Sequence, residues 1–154
     1  MKLRQFGDCK TVSKREFKYA ADWMLKRLVG PQRSSRVRAR LFHTRIPTYG
    51  AYVQGYYGDL WRYDIHIDPR SRKHNRTRRS MLVDLAHELV HVKQYTTRTM
   101  DDVDEVLVRW KKRCVRARDY PYRQQPWEVE AYRMMRPLYD AYARHLKREG
   151  LTFI

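Results

Sequence analysis

The chain has 154 residues, a length that suits one domain with a buried core and is short for two. Its 42% hydrophobic and 13% aromatic residues exclude a wholly disordered chain, and no apolar run approaches the roughly 18 to 20 residues that a bilayer-crossing helix needs. A formal net charge of +17 favours polyanionic partners at long range, while two cysteines, Cys9 and Cys114, without CxxC spacing exclude a zinc ribbon and a disulfide-built scaffold.

Met1 to Lys10 alternates charged and apolar types with no apolar run of a signal peptide after it, so the expected setting is a reducing, cytoplasmic compartment without a membrane segment. Ser13-Lys14-Arg15-Glu16 reads as a capping box, with Val12 and Phe17 as a hydrophobic staple, and opens a helix near Lys14. Phe17, Ala20, Ala21, Met24, Leu25 and Leu28 carry its apolar face, and Gly30-Pro31 is expected to stop it. From Arg36 to Asp68 the period changes to two. Val37 to Phe42, Ala51 to Tyr57 and Trp61 to Asp68 read as three strands, with Gly58-Asp59 as a hairpin turn and Gly55 as a bulge. In the last strand Trp61, Tyr63, Ile65 and Ile67 alternate with polar residues, as one buried face requires. Arg70 to Arg79 is a solvated cationic segment, and Met81 to about Thr97 is an amphipathic helix. Asp101 or Asp102 is expected to cap a further helix with the stripe Val103, Val106, Leu107, Trp110, Cys114 and Ala117, leaving Cys114 in the core. A final helix opens at Pro126, is expected to kink at Pro137, and buries Met135, Leu138, Tyr139, Tyr142 and Leu146.

His87-Glu88-Leu89-Val90-His91 is the sharpest chemical motif. Residues four apart on a helix lie one above the other, so both imidazoles can reach one Zn²⁺. Glu88 projects beside them, where a carboxylate can take a proton from activated water. A catalytic zinc site takes three protein ligands, and Trp127-Glu128-Val129-Glu130-Ala131-Tyr132 offers two carboxylates pointing about 200° apart. Glu130 is the favoured third ligand, because small Ala131 lets helices approach. Glu128 is the alternative ligand or an acceptor for a histidine N–H.

HELVH followed by EVEAY resembles the zinc metallopeptidases of the zincin class, in particular the gluzincin-type branch. The order of elements is similar to the minimal forms of that fold: an N-terminal helix, a small three-stranded antiparallel or mixed sheet, the motif helix, then two further helices. The resemblance spans residues 13 to 145 at the level of architecture and implies an α+β, zincin-like metallopeptidase domain, with residues 1–154 read as that single domain. It also implies His87, His91 and Glu130 as Zn²⁺ ligands, Glu88 as general base, and hydrolysis of a protein or peptide substrate. Tyr132 stands where that family often has an acidic or Asn residue. The basic charge is similar to that of SprT-like proteases, from which the chain differs in having no His from Val92 to Arg98 and no CxxC. Tyr132, Tyr95 and His66 are candidates for stabilising the oxyanion, and the Trp61 to Asp68 strand is the candidate edge for an extended substrate.

The cations Arg70, Arg72, Lys73, Arg76, Arg78 and Arg79, with Lys111, Lys112 and Arg113, form two candidate patches for DNA or RNA phosphates. The alternative to an enzyme is therefore a basic nucleic-acid-binding or assembly protein on a zincin-like scaffold without catalysis. Nothing in the residues fixes the oligomeric state.

Overall fold

The computed structural model describes residues 1–7, 9–46, 50–70 and 76–153. It is an α+β structure with element order β1 (Lys2–Phe6), α1 (Lys14–Arg36), β2 (Arg38–His43), β3 (Ala51–Tyr56), β4 (Asp59–Ile67), α2 (Arg78–Thr96), β5 (Met100–Asp102), β6 (Leu107–Trp110), β7 (Arg113–Arg116), two short 3₁₀ turns, and α3 (Pro126–Arg148). Among the described residues no helix is long and apolar enough to cross a membrane.

Ser13 caps α1 by accepting from the Glu16 amide at 3.2 Å. The Glu16 carboxylate, buried, turns away from the cap and takes the Arg78 guanidinium instead. Val12 and Phe17 both enter the main core. The first helical stretch of α1 stops at Gly30, whose φ of 80° is non-helical, as Gly30-Pro31 led one to expect, and a second segment runs from Pro31 to Arg36. A φ > 0 costs glycine little, and proline suits the first turn of the segment that follows.

The main sheet has four strands in the order β1-β2-β4-β3, with β1, β2 and β4 parallel and β3 antiparallel to β4. Three strands were expected; β1 was overlooked, although its Lys-Leu-Arg-Gln-Phe alternation has the period of a strand. The β3–β4 hairpin carries the expected irregularity at Gly55/Tyr56. β4 lies inside the sheet, whose edge strands are β1 and β3, contrary to the expected edge at Trp61 to Asp68. Ala39, Leu41, Tyr63, Ile65 and Ile67 face inward and share a core with Phe17, Met24 and Leu25 of α1, Leu82, Leu85 and Leu89 of α2, and Leu138 and Tyr142 of α3. α2 packs against α1, α3, β3 and β4, which buries it on nearly every side. Full burial of one such Leu contributes roughly 1.5–3 kcal/mol.

The helix expected after Asp101 is absent. A three-stranded antiparallel sheet, β5-β6-β7, stands in its place. Val103, Val106 and Cys114, three members of the expected helical stripe, are exposed. Met100, Val108, Trp110, Val115 and Ala117 instead share a small apolar cluster with Tyr95 and Trp127. Lys111 and Lys112 both have positive φ, 47° and 70°, the conformation of a two-residue turn between antiparallel strands. Asp104, not Asp101 or Asp102, caps locally: its carboxylate accepts from the Val106 and Leu107 amides at 2.7 Å. α3 begins at Pro126 as expected and continues through Pro137 to Arg148.

Candidate metal centre

His87 and His91 project from consecutive turns of α2, and α3 crosses against them with Glu128. The His87 and His91 Nε2 atoms are 3.1 Å apart. Glu128 places Oε2 3.1 Å from His87 Nε2 and Oε1 3.2 Å from His91 Nε2. All three residues are buried, and together they form a group that could hold a metal ion.

The donor set fits a cation. Two imidazole nitrogens and a carboxylate present lone pairs to one point, an arrangement that repels itself unless a proton or a metal sits between them. Ligands at about 2.0–2.1 Å in a tetrahedron lie about 3.3 Å from one another, close to the separations seen here.

The favoured ligand, Glu130, does not join the imidazoles. Its Oε2 accepts from Gln94 Nε2 at 2.9 Å and pairs with Lys93 Nζ at 3.1 Å. The reason is helical phase. Counting back from Met135, Leu138 and Tyr142 by seven, ten and fourteen residues reaches Glu128, so Glu128 continues the buried stripe while Glu130 lies off it. That count was available in the sequence; Ala131 as a spacer pointed the wrong way.

Gln94 was not foreseen. It is fully buried; its Oε1 lies 2.8 Å from His91 Nδ1, and its Nε2 donates to the Trp127 carbonyl at 2.9 Å. With Nδ1–H donating to Gln94, His91 Nε2 is left with its lone pair toward the centre. The sequence signal is a Gln three residues after the second motif histidine on the same helix face.

Glu88, 3% exposed, opens on a cavity of about 140 Å³ with His91, Glu128, Tyr52, Val53, Tyr95 and Tyr122 among its lining residues. Burial pushes its carboxyl up to about 8, with Glu128 and Asp84 adding to the rise against His91. Burial would also raise Glu128, but its hydrogen bonds with His87 and His91 hold it down to about 2. For His91, burial opposes protonation, yet its hydrogen bond to Glu128 and the charges of Glu88 and Glu128 leave its pKa raised.

Of the three oxyanion candidates, His66 lies on the outer face of the main sheet, stacked on Phe42 and Tyr52. Tyr95 reaches the cavity but donates to Asp102 at 3.0 Å. Tyr132 sits edge-on to His87, ring centroids 4.8 Å apart. Tyr122, on the 3₁₀ turn before α3, was missed; its hydroxyl hydrogen-bonds Glu128, and burial together with that carboxylate raises its pKa. The Pro121-Tyr122 turn carries no period that sequence reading could detect.

The expected basic patches divide. Arg76 pairs with Asp84 and Arg78 with buried Glu16, so both serve the fold. Arg79 reaches toward Asp140 at 3.8 Å and lies over Tyr139. Arg70 is exposed after β4, and Lys111, Lys112 and Arg113 are exposed at the β6–β7 turn. Arg72 and Lys73 lie outside the described residues. Comparison with family models, curated proteins and solved structures finds no match.

Proposed function

We propose that the chain is a zinc-dependent metallopeptidase of zincin-like architecture, with His87, His91 and Glu128 as ligands. The observation that carries this reading is the convergence of those three buried side chains, two of which, His91 and Glu128, line one cavity with Glu88. Two nitrogens and one carboxylate oxygen suit Zn²⁺, which as a bound ion supplies Lewis acidity and acidifies water.

The remaining work falls to the chain. Glu88 takes the proton of the attacking water and returns it to the leaving amine. Gln94 holds His91 in one tautomer and orientation. The Tyr122 hydroxyl, already turned toward Glu128, is the donor placed to meet negative charge developing on a substrate carbonyl. An extended peptide can add to the free edge of β3. Beyond the centre, a cleft of about 560 Å³ between the β3–β4 hairpin and β5 shares Val53, Tyr95, Met100 and Asp102 with the smaller cavity. That cleft gives the peptide room on one side of the bond to be cut.

Cleavage of unfolded protein by the zinc-loaded chain tests the reading. Glu88→Gln is expected to keep its zinc and to lose cleavage by at least about a hundredfold, in the range ascribed to general-base catalysis. Zinc-loaded wild type that cleaves no faster than Glu88→Gln contradicts it.

A further inference from the structure

The four-stranded sheet covers only one face with its helices, and the other face has a pattern that the metal centre does not use. Register places its outward side chains in three rows. Lys2, Arg38 and Arg62 form the first. Arg4, Arg40, Asp64 and Gln54 form the second, and Phe6, Phe42, His66 and Tyr52 form the third, spanning all four strands.

The third row is a stacked ladder. Phe6 and Phe42 have ring centroids 5.0 Å apart at 13°, Phe42 and His66 4.8 Å at 13°, and His66 and Tyr52 4.4 Å at 8°. Nearly parallel rings hold one another upright, so the row is ordered before anything binds. Its two ends, Phe6 at 44% and Tyr52 at 40% exposure, are on the edge strands β1 and β3. Each end leaves one ring face without a stacking neighbour among the described residues.

Beside the ladder lie five cations, and the carboxylates facing them are Asp64, held by Arg40, and Asp59, 3.5 Å from Arg38. Among the described residues Lys2, Arg4 and Arg62 make no salt bridge; Arg62 rests over the Tyr56 ring at 4.2 Å. A cationic track next to exposed aromatic faces provides both groups that an unpaired nucleotide needs, a partner for phosphate and a platform for the base. A duplex keeps its base faces stacked inside and can use only the cations.

We propose that this sheet face binds single-stranded nucleic acid, with bases stacking on Phe6 and Tyr52 and the backbone following Lys2, Arg38 and Arg62. Tyr52 also lines the cavity that holds Glu88 and His91, so a strand bound here ends beside the candidate metal centre. The inference stands on the sheet face alone and does not require that centre to be catalytic.

Fluorescence anisotropy of the full chain with a labelled oligothymidylate of about 20 nucleotides, at about 50 and about 200 mM salt, tests it. The single strand is expected to bind more tightly than a duplex of equal length. Phe6→Leu/Phe42→Leu keeps apolar bulk but removes two rings, and is expected to weaken the single strand about tenfold while leaving the duplex unchanged. If that double variant does not fold, Phe6→Leu alone, at an exposed edge position, is expected to weaken it about threefold. Lys2→Gln/Arg62→Gln is expected to lower the slope of log affinity against log salt by about 1.4. Three results overturn the proposal: no binding at the lower salt, equal affinity for single strand and duplex with no response to ring removal, or displacement by polyglutamate in a ring-insensitive way, which would mark an acidic-protein surface.

Discussion

The inner and outer faces of the main sheet are made by alternate residues of the same strands, and they handle polar groups in opposite ways. On the inner side, polar side chains of α2 and α3 pair with one another: buried His87 and His91 with Glu128, His91 with Gln94, and Gln94 with Glu130. On the outer side, Lys2, Arg4 and Arg62 stay in solvent without carboxylate partners among the described residues. Burial makes each inner interaction expensive to lose, because a deserted polar group has no water to turn to. Exposure makes each outer cation worth little to the fold and leaves it available for a ligand. The faces should therefore respond independently to mutation.

The larger of two effects that sharpen this contrast belongs to Gln94. Gln94→Ala removes the acceptor of His91 Nδ1 and the tie to α3. It is expected to weaken zinc affinity by about 10- to 100-fold, read by competition with a chelating dye, without changing oligonucleotide binding. An equal loss at both surfaces would show that the two faces are coupled.

A smaller effect is expected at Asp64 on the outer face. Burial there would raise its carboxyl pKa, but hydrogen bonds from Arg40 and Tyr56 and the Arg40 charge leave it lowered. A carboxyl lowered in the folded state adds stability above its unfolded pKa, about 3.9, and loses that contribution as pH falls through the folded value. Asp64→Asn is therefore expected to cost about 1 kcal/mol at neutral pH, with the gap in urea midpoint closing below about pH 4. A gap that persists unchanged into acid would place the effect in packing rather than charge. Zinc content should not move.

Much of this was legible in the chain, and the failures have physical causes. α1, α2 and the β3–β4 hairpin follow strong periodicity, and HELVH needs only a helix to bring its imidazoles together. The β5–β7 sheet was hidden because its turn uses Lys111 and Lys112 at positive φ, where Asn or Gly would have signalled it. Its apolar residues also fit a helical period by coincidence, and only Trp127, distant in sequence, decides which of them are buried. Which glutamate faces the imidazoles depended on the rotation of α3, which is fixed by Leu138 and Tyr142 against the core rather than by anything beside Glu128. Tyr122 meets Glu128 on another element, so that contact appears only once α3 is in place, whereas Gln94 meets His91 on its own helix and only its tie to Trp127 needs α2 and α3 packed.

Completion of the candidate centre by Glu128 rather than Glu130 is the central claim. Zinc stoichiometry of the purified, dialysed wild type, Glu128→Ala and Glu130→Ala, measured with circular dichroism to confirm folding, tests that directly. The expected result is about one equivalent in wild type, nearly one in Glu130→Ala and almost none in folded Glu128→Ala. A folded wild type that retains no zinc, or zinc kept by Glu128→Ala and lost by Glu130→Ala, would contradict it.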